Sequence, residues 1–103
     1  MQVDKLKDED IEKYKMLNEI LLSVFNEMKD FSKKKQDEVL NELKVKKINQ
    51  LLKDIKDFLS KESSSDYLDL LDGETLPTNS DAVLILSQYR ASMRNFHRKY
   101  DFY

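Results

Sequence analysis

The sequence predicts an all-α protein, an antiparallel bundle of three long helices plus one short connecting helix, in a single domain over residues 1–103. The only glycine and the only proline are Gly73 and Pro77, so the rest of the chain lacks the two strongest helix breakers. On both sides of that break, apolar residues recur every three or four positions, as they do along a packed helix. The length of 103 residues is that of one domain.

The first helix is expected over about residues 8–32. Its apolar positions alternate three- and four-residue steps, which is the rhythm of a helix packed against other helices: Tyr14, Leu17, Leu21, Val24, Met28 and Phe31. Ile11, Ile20, Leu22 and Phe25 widen this stripe to roughly 200°, well beyond the ~100° of an ordinary surface helix. This helix is therefore expected to be central in the bundle or to pack against a second chain as well.

The second helix is expected over about residues 37–61, after a turn at 32–36. Its stripe contains Val45, Ile48, Leu52, Ile55 and Leu59. Val39, Leu40 and Leu43 follow a different phase, so a kink or a short separate turn is expected near residues 41–45.

A connector and a last helix follow. Serines 63–65 precede an acidic, leucine-rich stretch that ends at Gly73, a pattern typical of a short capped helix, expected over about 66–72. Residues 75–79 are expected to be extended, because the residue before a proline disfavours the helical region. The last helix is expected over about 81–100, capped by Asn79 or Ser80. Its stripe contains Ala82, Leu86, Tyr89, Met93, Phe96 and Tyr100.

Composition narrows the possible functions. The formal net charge is −2, and the chain has no cysteine, one histidine and one glycine. A disulfide framework, a thiol nucleophile and a glycine-rich phosphate loop are therefore excluded. We predict no cofactor, no metal site and no catalytic residues. No apolar run follows the charged start and none could span a bilayer, so we expect a cytoplasmic protein without membrane contact.

Charge is distributed unevenly towards the end of the chain. Residues 62–81 contain acids and no bases, whereas residues 82–103 contain four bases and one acid. All three arginines of the chain, Arg90, Arg94 and Arg98, lie in this last segment, one helical turn apart. Arginine binds carboxylates and phosphates through a planar fork that lysine lacks.

The arginine row permits three interpretations. It could pair internally with the acidic connector at Asp66, Asp69, Asp72 or Glu74. It could bind a carboxylate or an acidic helix of a partner or of a second subunit. It could contact nucleic-acid phosphate, although the acidic overall charge argues against a nucleic-acid surface. For the second interpretation, the predicted partner-binding residues are Arg90, Arg94, His97, Arg98, Tyr100, Phe102 and Tyr103. The aromatic residues could instead fold back onto the core.

Arg90 and His97 are separated by six residues and lie on the same helical face. This spacing, at the end of a helical bundle, resembles the loose active-site motif of HEPN-type ribonucleases, whose dimers pair two such sites to cleave RNA. That family usually has a polar residue directly after the arginine, where this chain has Ala91. The resemblance implies ribonuclease activity dependent on Arg90 and His97.

Taken together, these patterns favour a small non-catalytic protein that acts through protein–protein association as an accessory, adaptor or regulatory module, and a homodimer is expected. The alternatives are a nucleic-acid-binding regulator that uses the basic last helix and a HEPN-like ribonuclease.

Overall fold

The computed structural model describes residues 6–102, and in this range the prediction of an all-helical chain is confirmed. Three α-helices form: α1 spans Asp8–Lys35, α2 spans Glu42–Phe58 and α3 spans Asn79–Tyr100. Two short 3-10 helices, Ser63–Tyr67 and Gly73–Thr75, lie between α2 and α3. The one extended pairing among the described residues is an isolated antiparallel bridge between Val39 and Thr78.

Helix α1 is favoured by the charges at its two ends. Its first turn contains acidic residues 8–10 and its last turn contains lysines 33–35. Acids stabilise the partly positive start of a helix and lysines stabilise its partly negative end. The lysines therefore extend the helix to Lys35, past the predicted end near residue 32.

Helix α2 begins at Glu42, and the prediction that it starts near residue 37 was wrong. Asn41 caps it, because its Oδ1 accepts a hydrogen bond from the backbone N of Lys44 at 2.8 Å. The preceding residues pair with the segment before α3 instead: Leu40 N donates to Pro77 O at 2.8 Å, and Asn79 N donates to Glu38 O at 2.9 Å. The phase change in the sequence thus marks a helix start.

Side-chain contacts define the relative directions of the helices. At one end of the molecule, the ring of Tyr14 in α1 lies 6.5 Å from Phe58 in α2 and 5.8 Å from Phe96 in α3. At the other end, Asn79 of α3 donates through Nδ2 to the carbonyl of Lys35 at 2.8 Å. Helix α1 is therefore antiparallel to both of its neighbours. Because α2 and α3 run in the same direction, the connector must return along their length.

The connector does this largely without helical structure, so the predicted helix over 66–72 was wrong. Helical turns occur on either side of residues 68–72, which are not helical. Leu68 and Leu71 are buried, Leu71 is hydrogen-bonded to Asn49 of α2, and Asp69 is hydrogen-bonded to Tyr89 of α3. These side chains satisfy backbone groups that a helix would have satisfied itself. The extended segment lies between α2 and α3, where a further helix could otherwise pack.

Helix α3 begins two residues earlier than predicted. Thr78 is its cap: Thr78 N donates to Asp81 Oδ2 at 2.9 Å, and Asp81 N donates to Thr78 Oγ1 at 3.3 Å. This reciprocal pair satisfies two backbone donors that the helix leaves open. Asn79, predicted as a possible cap, is buried and binds the end of α1.

The core contains the apolar stripes of all three helices together with the connector leucines. Its largest fully buried apolar side chains are Leu21, Leu52, Ile55, Leu59, Leu68, Leu86, Tyr89 and Met93. Of the residues that widen the α1 stripe, Phe25 is buried in this core, whereas Ile20 is exposed, as is the nearby Met16. Among the helices of residues 6–102, none combines the length and apolarity needed to cross a bilayer.

Candidate partner-binding face on the last helix

The candidate site lies on the C-terminal half of α3, where Arg90, Arg94 and Arg98 succeed one another by one helical turn. This half of the helix is held against the core by Tyr89, Met93 and Phe96, which are all buried. The arginines lie at the edge of that buried stripe. Their backbone positions are therefore fixed by packing, whereas the side chains of Arg94 and Arg98 are exposed.

Arg90 is the best-positioned of the three arginines. Its guanidinium carbon lies 4.6 Å from the ring centroid of Phe25 in α1, and the residue is half-buried. A cation over an aromatic face is attracted by the ring quadrupole, and a planar guanidinium can stack there with its edges free for hydrogen bonds. Arg90 is thus pre-ordered before any ligand binds.

A small cleft of about 160 Å³ opens beside Arg90, between α1 and α3. Helix α3 contributes Arg90, Arg94 and His97 to its walls, and α1 contributes Tyr14, Asn18 and Leu22. Most small-molecule sites are about 300–1,000 Å³. This cleft is therefore suited to a single side chain or one anionic group.

His97 forms one wall of the cleft and belongs to an aromatic cluster. Its ring stacks on Tyr14 with centroids 5.7 Å apart and meets the ring of Phe102 edge-on at 4.8 Å. Burial raises the pKa of the Tyr14 hydroxyl above its usual value, so this hydroxyl stays neutral. Arg90 and Arg94 bring positive charge to the cleft.

Arg98 does not share this cleft, so the row predicted from sequence is divided between two surfaces. It lines a second depression, of about 400 Å³, together with Ser63, Ser64, Ser92, Asn95 and Lys99. Lys99 is ion-paired there: its Nζ lies 3.0 Å from Glu62 Oε1. That carboxylate, through its hydrogen bond and charge, raises the pKa of Lys99.

The aromatic residues of the prediction are engaged within the chain. The hydroxyl of Tyr100 donates to Glu62 Oε2 at 3.1 Å, and its ring lies 4.7 Å from Phe96. Phe102 folds back onto the bundle, with its ring 4.9 Å from that of Tyr14. This is the alternative in which the terminal aromatics join the core. Tyr103 lies outside the described residues.

No arginine forms an ion pair within residues 6–102, where the two salt bridges are Lys35–Glu38 and Lys99–Glu62. The described residues therefore do not show the predicted pairing of the arginine row with Asp66, Asp69, Asp72 or Glu74. The acidic connector instead contributes Glu62, which the sequence argument did not single out. Arg94 and Arg98 are exposed, so their charge remains available to an external anion.

Sequence reasoning missed the α1 side of the cleft. Tyr14 and Leu22 were assigned to the core stripe, and Asn18 was not singled out. The one available signal was Asn18 itself, a polar residue directly after Leu17 of the apolar stripe. Its pairing with α3 depends on the relative positions of two helices, which no local pattern encodes.

Comparison with known proteins adds no further assignment, because no protein-family model, no curated protein and no solved structure matches the chain.

Proposed function

We propose that this chain is a non-catalytic protein-binding module in which a three-helix bundle presents the arginines of α3 to carboxylates of a partner protein. The proposal rests on one observation: no arginine is ion-paired within the described residues, although the neighbouring connector is rich in acids. Arginine is enriched among the few residues that contribute most of the binding free energy at protein interfaces. An acidic segment of a partner, such as an amphipathic acidic helix, supplies the matching groups.

The recognition step uses the cleft between α1 and α3. A partner carboxylate enters it and accepts hydrogen bonds from Arg90 and Arg94. A guanidinium can bind both oxygens of a carboxylate at once, which fixes direction as well as distance. Because Arg90 already lies against Phe25, little of its side-chain freedom is lost on binding, and this favours affinity.

A partner protein suits the surface better than nucleic acid does. Nucleic-acid binders usually carry a broad basic surface that follows the phosphate backbone. Here the formal net charge of the chain is −2, and Lys99, the nearest cation to the arginines in sequence, is already paired with Glu62. The cleft also admits only one anionic group. A basic α3 as a nucleic-acid regulator is therefore the second interpretation, and the test below separates the two.

The test is affinity capture from the native host on wild-type protein and on the variant Arg90→Lys/Arg94→Lys/Arg98→Lys. The variant keeps the charge and removes the forks. We expect wild type to retain an acidic protein that the variant loses, both before and after nuclease digestion of the lysate. If retention disappears with nuclease treatment, or is equal on the two proteins, the proposal is wrong.

A matched control removes cations elsewhere on the surface. Lys46, Lys53 and Lys56 lie on α2, and all three are exposed. The variant Lys46→Gln/Lys53→Gln/Lys56→Gln loses three charges, and the proposal predicts that it still captures the partner. Direct binding of RNA and DNA at about 50 and about 200 mM salt completes the test, because phosphate contacts weaken steeply with salt.

A second candidate function is supported by one observation: Arg90 and His97, the pair that resembles the HEPN-type motif, line the same cleft. A ribonuclease that uses this pair would lose RNA cleavage in Arg90→Lys and His97→Ala. Unchanged cleavage in both variants, or no cleavage by wild type, removes this candidate.

A further inference from the structure

One side of α1 carries an apolar stripe that the described chain leaves largely exposed. Met16 is 51% exposed, Ile20 44% and Phe31 37%. At about 100° per residue, these three and the half-buried Val24 lie within an arc of about 80°. They form a ridge along the helix that is distinct from the arginine cleft on the other side of α1.

Four charged residues lie on the same arc, Glu9, Lys13, Glu27 and Lys34, and of these Lys13 and Glu27 are placed symmetrically about Ile20. Lys13 precedes Ile20 by seven residues, and Glu27 follows it by seven. Met16 and Val24 are likewise four residues before and after Ile20. Lys13 and Glu27 are both exposed, and neither forms an ion pair within residues 6–102. The stripe is therefore complementary to itself when its direction is reversed.

We propose that a second copy of this chain docks on the stripe, with its α1 antiparallel to the first and a twofold axis passing at Ile20. In such an isologous pair each contact occurs twice. Ile20 meets Ile20 of the second copy, Met16 meets Val24, and Lys13 meets Glu27. Apolar residues are buried at the centre and opposite charges face each other on both sides.

The next contact outward from Ile20 also brings opposite charges together. Glu9 faces Phe31 of the second copy, and the Nζ of Lys44 lies 4.5 Å from the centroid of that ring. The carboxylate of Glu9 thus meets a lysine of α2. Between Glu9 and Phe31, no charged residue of one α1 stripe faces a like-charged residue of the other α1 stripe in this arrangement. An unrelated partner would have no reason to match a pattern that is symmetric about one residue, so a second copy is the occupant that the surface fits.

The size of the surface determines the strength of the association. The stripe from Glu9 to Phe31 is about 33 Å long, and a contact along one helix is smaller than the ~1,600 Å² of a standard stable interface. The dimer is therefore reversible, with a dissociation constant in the micromolar range. This association does not use the arginines of α3, so it can fail while the proposed function holds, and the reverse is also true.

The test exchanges the two charges and measures the dissociation constant by sedimentation velocity over a range of concentrations. Lys13→Glu alone and Glu27→Lys alone each turn both ion pairs of the homodimer into like-charge contacts, so each variant should dimerise about tenfold more weakly. The double variant Lys13→Glu/Glu27→Lys restores both pairs within one chain and should return to the wild-type value. An equimolar mixture of the two single variants should form mixed dimers as strong as wild type.

Lys53→Glu is the control variant. It makes the same charge change at an exposed position on α2 and should dimerise as wild type does. All these positions are exposed, so melting curves by circular dichroism should remain close to wild type. The proposal is overturned by a wild type that is monomeric up to about 500 μM, far above the expected micromolar constant, by single variants that dimerise normally, or by failure of the double variant to recover.

A second measurement locates the axis. The chain has no cysteine, so Ile20→Cys introduces a single thiol where the two copies meet. Mild oxidation should link this variant into a covalent dimer, whereas Gln50→Cys, on the exposed side of α2, should stay unlinked. Equal linking of the two variants contradicts the proposed geometry.

Discussion

Asn49 makes with Leu71 the two hydrogen bonds that a neighbouring β-strand would make. Its Nδ2 donates to Leu71 O and its Oδ1 accepts from Leu71 N, each at 2.8 Å. An amide has one donor group and one acceptor in the spacing of a peptide bond. The connector can therefore cross α2 in an extended form without leaving its backbone groups unpaired.

Replacing Asn49 by aspartate should destabilise the fold. The carboxylate keeps the shape of the amide but has no donor, so the carbonyl of Leu71 loses its partner and faces a negative charge. We expect a loss of about 1–3 kcal/mol in the free energy of unfolding, measured by urea denaturation at pH 7. Gln50→Glu, the same chemical change at the exposed neighbouring residue, should cost less than about 0.5 kcal/mol. Equal stability of the two variants would show that Asn49 does not hold the connector.

Tyr89 predicts how stability depends on pH above neutrality. Its hydroxyl donates to the carbonyl of Asp69 at 2.8 Å, and burial, followed by the charge of Asp69, raises its pKa to about 12. In the unfolded chain the tyrosine titrates near pH 10. Between these values the folded state holds the proton and the unfolded state releases it, so stability falls as pH rises, by up to about 2.7 kcal/mol over the interval.

The comparison with Tyr89→Phe isolates this effect, because every other titrating group is common to both proteins. At pH 8 the variant should be less stable than wild type by about 1 kcal/mol, since the carbonyl of Asp69 loses its donor. That difference should shrink above pH 10 and reverse by about pH 12. A constant difference across this range, by urea denaturation, would contradict the raised pKa.

Leu76 has a left-handed backbone, with φ of 55° and ψ of 61°, and a largely exposed side chain. A non-glycine residue in this conformation costs roughly 1–2 kcal/mol, which offsets the extra freedom of glycine in the unfolded chain. Leu76→Gly should thus leave thermal stability equal to wild type or slightly higher. Leu71→Ala, at a buried position of the same connector, should cost about 2–5 kcal/mol. A marked loss in Leu76→Gly would mean that its side chain supports the fold.

Phe102 predicts that the end of the chain stabilises the bundle. Its ring contacts Tyr14, Phe96 and His97, so Phe102→Ala should lower the free energy of unfolding by about 1–2 kcal/mol. Asp101→Gly is the control, because Asp101 is exposed and has a positive φ of 50° that glycine adopts freely. If Phe102→Ala has no effect on melting, the terminal aromatic does not belong to the core.

Sequence patterns predicted the features that depend on neighbouring residues in the chain, but they did not predict the features that depend on tertiary contacts. Residues of the apolar stripes such as Leu21, Leu52 and Leu86 are buried as predicted, because helical periodicity alone determines which side chains share a face. The helix predicted in the connector is absent because the side chains of Asn49 and Tyr89, which are distant in sequence, hydrogen-bond to the connector backbone. Capping residues are a local signal and do not reveal such tertiary hydrogen bonds.

The candidate site shows the same division. The arginine row on one helix could be recognised from sequence, since one-turn spacing is local. Its separation into two surfaces, the stacking of Arg90 on Phe25 and the pairing of Glu62 with Lys99 all depend on how elements meet. The α1 stripe was predicted to be wider than that of an ordinary surface helix, but only the structure shows that Phe25 is buried whereas Ile20, with Met16 near it, is exposed.

The most direct test of the central claim is the dissociation constant of the captured acidic partner for three proteins: wild type, the triple Arg→Lys variant of α3 and the triple Lys→Gln variant of α2. Loss of the guanidinium forks should weaken binding at least about tenfold although charge is conserved, because bidentate hydrogen bonds are lost. Removal of the α2 lysines should leave binding within about threefold, since exposed charges outside the contact contribute little. Equal binding by wild type and the Arg→Lys variant would contradict recognition by the arginines of α3.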